Sequence, residues 1–208
     1  MKPAALVIFI ALAIAPSEAA AQPPTGTDEL RIALLDLQTT LSSPSIEVGR
    51  ARPRLTAAIT WLINNHPRTN PADLSVEYVR SIQQAAELLK IEPSPDVVED
   101  VTSELEAKVD HCRKLGIGMG GSVLLRVDTR RVGAPVENWQ VLYLLKIYER
   151  VPGAVPGNFP RLSTPTERPV EPGRYWIWAR DPSTGQVSDR SLVTVAGQKE
   201  LLVDIAVP

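Results

Sequence analysis

The chain has one cysteine, Cys112, among 208 residues, so no disulfide can form within it. A compartment that permits disulfides does not require them, and a chain this long can bury a core without covalent staples. A basic excess is also missing. The formal net charge of −2 argues against nucleic acid and anionic lipid as partners, because both reward a cationic surface. Histidine occurs only twice, as His66 and His111, and no pair of Cys or His residues has the spacing of a zinc site. There is no G-x-S-x-G elbow for a serine nucleophile. No cofactor is implied, and no catalytic set of residues stands out.

Long apolar runs are missing too, with one exception at the start. Lys2 precedes the run Ala4–Ala15; Pro16 ends it, and the small residues Ala19-Ala20-Ala21 precede Gln22. This is the three-part pattern of a secretory signal peptide cleaved near Ala21. The run is shorter than the roughly 20 residues that span a bilayer, although a retained anchor is the alternative. The expectation is an exported protein, periplasmic or secreted, with no stable membrane anchor once the signal is removed.

Residues 22–26 read as a flexible lead-in. From there to about residue 115 the apolar period is helical. Leu30, Leu34, Leu37 and Leu41 share one face, ended by Ser42-Ser43-Pro44. Leu55, Ala58, Ile59 and Leu62 mark a second helix, from near Pro53 to Asn64-Asn65-His66-Pro67. Val79, Ile82, Ala86 and Leu89 mark a third, opened by Asp73 or Ser75. Ser94 as N-cap and Pro95 at the first position open a fourth, lined by Val98, Val101, Leu105, Val109 and Cys112. Four amphipathic helices with short connections predict a helical bundle over 27–115.

The period changes at the glycine-rich linker 116–121. Its Gly116, Gly118 and Gly121 fit G-x-G-x-x-G, but a dinucleotide site needs a strand before and a helix after. Here the order is reversed, which predicts a helix cap and a hinge. Over 122–208 the pattern alternates: Val123, Leu125 and Val127; Val141, Tyr143, Leu145 and Ile147; Tyr175, Ile177 and Ala179; Val193 and Val195; Val203, Ile205 and Val207. Turn residues separate these runs, which predicts an antiparallel β-sandwich. The proline-rich stretch 150–172 reads as loop, with an edge strand near Phe159–Ser163.

Gly-Ala-Pro-Val-Glu-Asn (133–138), followed by a strand and then Pro-Gly-Arg-Tyr-Trp-Ile-Trp-Ala (172–179), resembles the transthyretin-like or carboxypeptidase-regulatory-like β-sandwich. The resemblance covers the C-terminal half alone. It implies a prealbumin-like fold and an accessory or binding role, not a reaction.

Several chemical groupings have ordinary explanations. Asp110-His111-Cys112 are consecutive on a helix and cannot converge on one ion; Cys112 shares the apolar face and reads as core. Glu99, Asp100, Glu104 and Glu106 read as a solvated helix face, with Glu104 and Lys108 as a surface pair at i, i+4. The aromatics are unevenly spread, seven of the ten lying between Trp139 and Trp178. Trp176 and Trp178 share one face of a strand, flanked by Arg174 and Arg180. That set suits a protein hot spot or a sugar ring, or else it is buried under the helices or the 150–172 loop. The leading expectation is a non-enzymatic envelope protein that docks a protein partner through Arg174, Trp176, Trp178 and Arg180. Binding of envelope polysaccharide is the alternative. A hydrolase would need carboxylates from both halves to meet in a cleft, and a self-assembling protein would use the helices as its seam.

Overall fold

The computed structural model describes residues 26–43, 51–116, 120–162 and 164–208. The signal segment, most of the lead-in and the middle of the glycine linker lie outside them. Four helices come first: α1 (Gly26–Leu41), α2 (Arg52–Asn65), α3 (Val76–Ile91) and α4 (Pro95–Leu115). The boundaries of α3 and α4 are set by capping residues. Ser75, not Asp73, caps α3, its Oγ accepting from the Tyr78 amide at 3.0 Å. Ser94 caps α4 with Pro95 next in line, and Gly116 ends it in the left-handed conformation at φ 63°. The apolar faces pack together, α1 on α2 and α3, and α2 on α4. None of the described helices is long and apolar enough to cross a membrane.

Eight strands follow: β1 (Val123–Arg131), β2 (Ala134–Pro135), β3 (Gln140–Leu145), β4 (Gly157–Asn158), β5 (Thr166–Val170), β6 (Gly173–Arg180), β7 (Ser191–Val195) and β8 (Glu200–Ala206). They make two four-stranded sheets. In the first, β1 is central, with β5 and the short β2 along one edge and β8 along the other. The second runs β4-β3-β6-β7. Among the described residues all strand pairings are antiparallel except one: β8 runs parallel to β1, in register from Leu124↔Glu200 to Arg130↔Ala206. The architecture is α+β, and a single apolar core takes in helix residues such as Leu105 together with Val123, Leu125, Val141 and Ile177 from both sheets.

Three local expectations are corrected. Of the expected edge strand, Ser163 lies outside the described residues, and residues 159–162 form no strand; the chain pairs instead at Gly157–Asn158 and Thr166–Val170. Pro169 is tolerated there because β5 lies at the border of its sheet. Ile147 belongs to the 3₁₀ turn Lys146–Arg150 that ends β3. The third correction carries the most weight. Glu104 and Lys108 are not a surface pair: their side chains are 1% and 0% exposed, with Lys108 Nζ 3.0 Å from Glu104 Oε1. Helix α4 carries apolar residues on more than one side, and its second buried side is covered by β6.

Candidate functional site

Strand β6 organises the region, because its alternation sends two different sets of side chains to its two faces. Arg174, Trp176, Trp178 and Arg180 share one face. Trp178 is buried, with the Arg190 guanidinium 4.7 Å from its ring centre. Trp176 is half-buried; its Nε1–H donates to Glu149 Oε2 at 3.0 Å, and Lys146 Nζ stands 5.2 Å from the ring centre. Lys146 also pairs with Glu149, and that ammonium is the main reason the Glu149 carboxyl sits below its usual range. The Arg174 guanidinium reaches Asp100 of α4 at 3.7 Å; Arg150 and Lys146 approach the same carboxylate at 3.5 and 3.8 Å. Arg180 is exposed, opposite Gln140 at the far end of the strand. The structure therefore brings Arg174 and Trp176 into one charged cluster, seals Trp178 beneath Arg190, and leaves Arg180 apart.

Behind this face lies the buried ion pair. Lys108 Nζ donates to the Pro172 carbonyl at 2.7 Å and stands 4.5 Å from the centre of the Tyr78 ring. Glu104 Oε2 accepts from the Arg174 amide at 2.9 Å. Helix α4 is thus fastened through two charges to the Pro172-Gly173 turn that joins β5 to β6. Gly173 makes the approach possible: a Cβ there would lie 2.6 Å from Glu104 Oε1. Burial pushes the Tyr78 hydroxyl well above its usual range and the Cys112 thiol up to about 11, so Cys112 is an inert core residue.

The opposite face of β6 carries Tyr175 and Ile177 inward. Tyr175 lies 6.1 Å from Tyr143 of β3, which meets Phe159 edge-on at 5.6 Å. Tyr143 also passes so close to Gly157 that a Cβ would fall 2.3 Å from its ring. Next to these rings, where α3 meets the sheets, is a cleft of about 410 Å³. Tyr143, Tyr148 and Tyr175 supply its aromatic lining; Glu77, Glu171 and Arg168 supply its charge. Arg168 is committed, stacked 5.2 Å from the Tyr143 ring centre and donating to the Asn158 carbonyl at 2.9 Å.

Glu171 is the unusual member. Its Oε1 accepts from Ser75 Oγ at 2.5 Å, while Oε2 is buried with no hydrogen-bond partner. Burial raises its pKa, opposed by the Ser75 hydrogen bond and the charge of Lys108. The Tyr175 hydroxyl donates to the Glu171 carbonyl at 2.9 Å, so the ring and the carboxylate are held as one unit. Burial likewise raises Tyr148 and Tyr175.

None of Tyr148, Glu77, Glu171 or Arg168 is singled out by sequence. The crowding of aromatics after Trp139 was the available signal, but it cannot say which rings share a cavity. Among the described residues no three His, Cys, Asp or Glu side chains are placed to hold a metal ion. No protein-family model matches the chain, and no curated protein matches it.

Proposed function

We propose that this is an exported, non-enzymatic accessory protein of the cell envelope that holds a protein partner in the cleft between α3 and the sheets. In this reading the C-terminal half is a β-sandwich of the transthyretin-like or carboxypeptidase-regulatory-like kind. The signal-like first 21 residues support export, and the Pro172-Gly173 turn that carries the chain from one sheet to the other, with both sheets sharing one core, supports the sandwich.

The observation that carries the binding role is the cleft itself. A cavity of several hundred Å³ that joins apolar rings to a few fixed polar groups is the usual form of a binding site. The charged face around Trp176, on the other side of β6, is mostly satisfied by its own ion pairs. A photo-crosslinking residue at Val155, which is exposed and lines the cleft, tests this in cells. Val132 is fully exposed on the β1–β2 turn and provides the control. One recurring protein captured from position 155 and not from 132 is the expected result. Equal capture from both positions, or from neither, would remove the cleft from the reading.

A second reading is favoured by the same lining. Three tyrosine rings with Glu77 and Glu171 beside them suit a sugar as well as a protein segment, and two carboxylates in one cleft are what a hydrolase would require. Tyrosine fluorescence unchanged across a panel of envelope glycans, with no glycan shortened, would set both of these aside.

A further inference from the structure

We infer that the cleft recognises a primary alkylammonium group, as carried by a lysine side chain, with Glu171 as its counter-ion and Tyr148 and Tyr175 around its methylenes. The inference rests on the binding role proposed above and specifies what that site takes.

Four observations lead to it. Glu171 Oε2 is a buried acceptor with no donor, an arrangement that costs free energy until a donor arrives. An ammonium supplies that donor and neutralises the charge at the same time. Tyr148 and Tyr175 line the cleft beside Glu171, and aromatic rings attract a cation and cover its apolar stem, whereas the Tyr143 ring already carries Arg168. Among the described residues, Arg168 is held by Tyr143 and Asn158, and Lys108, whose charge reaches Glu171, is bonded to Glu104 and the Pro172 carbonyl and donates nothing to Oε2. Glu77 adds a second negative group at the exposed mouth, with Arg80 on the Tyr148 side.

The same geometry separates lysine from arginine. A guanidinium binds a carboxylate best through two parallel hydrogen bonds, one to each oxygen. Here Oε1 is already bonded to Ser75, and Oε2 alone lacks a donor. A single-point donor fits and a fork does not.

The test is a titration of the purified protein followed by NMR shifts. Four probes are used: N-acetyl-lysine methylamide, its ε-acetylated form, N-acetyl-arginine methylamide and n-butylamine. The lysine probe should bind about tenfold more tightly than the acetylated one. Glu171→Gln should erase that preference while the protein stays folded by tryptophan fluorescence, and Tyr148→Leu should weaken both ammonium probes. Butylamine binding as well as the lysine probe supports the inference and points to a free amine as the natural ligand. Equal binding of the charged and acetylated probes, or a preference untouched by Glu171→Gln, overturns it. Capture at Val155 that persists alongside such a result would leave the partner-holding reading standing and remove the ammonium alone.

Discussion

Glu104, Lys108 and His111 on α4 all turn inward, with measurable consequences. Lys108 and Glu104 are fully desolvated, so removing one partner leaves a bare charge in the interior. Lys108→Met should cost roughly 3–5 kcal/mol in chemical denaturation. Adding Glu104→Leu should recover much of that loss, because an uncharged pair of similar volume has no desolvation penalty; a double variant no more stable than Lys108→Met would show that the Arg174 amide matters more than the charge. His111 is 0% exposed, and neither ring nitrogen has a hydrogen-bond partner. Burial, and then the charge of Lys108, hold its pKa below the ordinary 6.5. The unfolded chain therefore takes up this proton first as pH falls. The stability due to neutral His111 is present above pH 6.5 and is lost as pH drops through the lower folded value. Glu171 acts in the opposite sense, since its raised pKa makes the folded state the better proton binder. His111→Phe should flatten the loss of stability below pH 6.5, and an unchanged profile would assign the acid response elsewhere.

At the level of elements, the helices and most strands were legible because period, caps and turn residues agreed. Ser94-Pro95 opened α4 and Gly116 closed it as written in the sequence. The failures share a physical cause: they depend on what a neighbour covers. An i, i+4 Glu–Lys pair looks the same whether it faces water or β6, and Pro169 hides a strand whose far edge happens to be free. The aromatic face of β6 was legible as a face, but not that Arg190 would seal Trp178 while Glu149 tethers Trp176. The cleft was invisible because its lining comes from α3, β3, the 3₁₀ turn and the approach to β6, brought together only by the fold. Gly173 is the element-scale hinge of that assembly. Gly173→Ala forces Cβ against Glu104 and Leu145, with contacts of 2.6 and 2.8 Å. It should lower the melting temperature by several degrees, as a loss of about 1–3 kcal/mol does in a domain this size. A melting point within a degree of the parent would mean that the turn yields without strain.

For the whole molecule, the Glu104–Lys108–Pro172 contact means that the helical and sheet halves are not independent. Trp61 lies in α2, while Trp139, Trp176 and Trp178 report on the sheet half. Far-UV dichroism and tryptophan fluorescence should therefore give one coincident denaturant transition. Lys108→Met should be the variant in which the two curves part; two transitions in the parent protein would show that the ion pair couples nothing. The parallel pairing of β8 with β1 adds a constraint in time. Arg126 and Glu200, paired across that seam, are 74 residues apart in sequence. The central strand of the first sheet cannot acquire its second neighbour until everything between has been laid down, and pairings of such separation form slowly. A chain that closes late spends longer with the edge of its central strand uncovered, which is a hazard wherever such chains gather at high concentration.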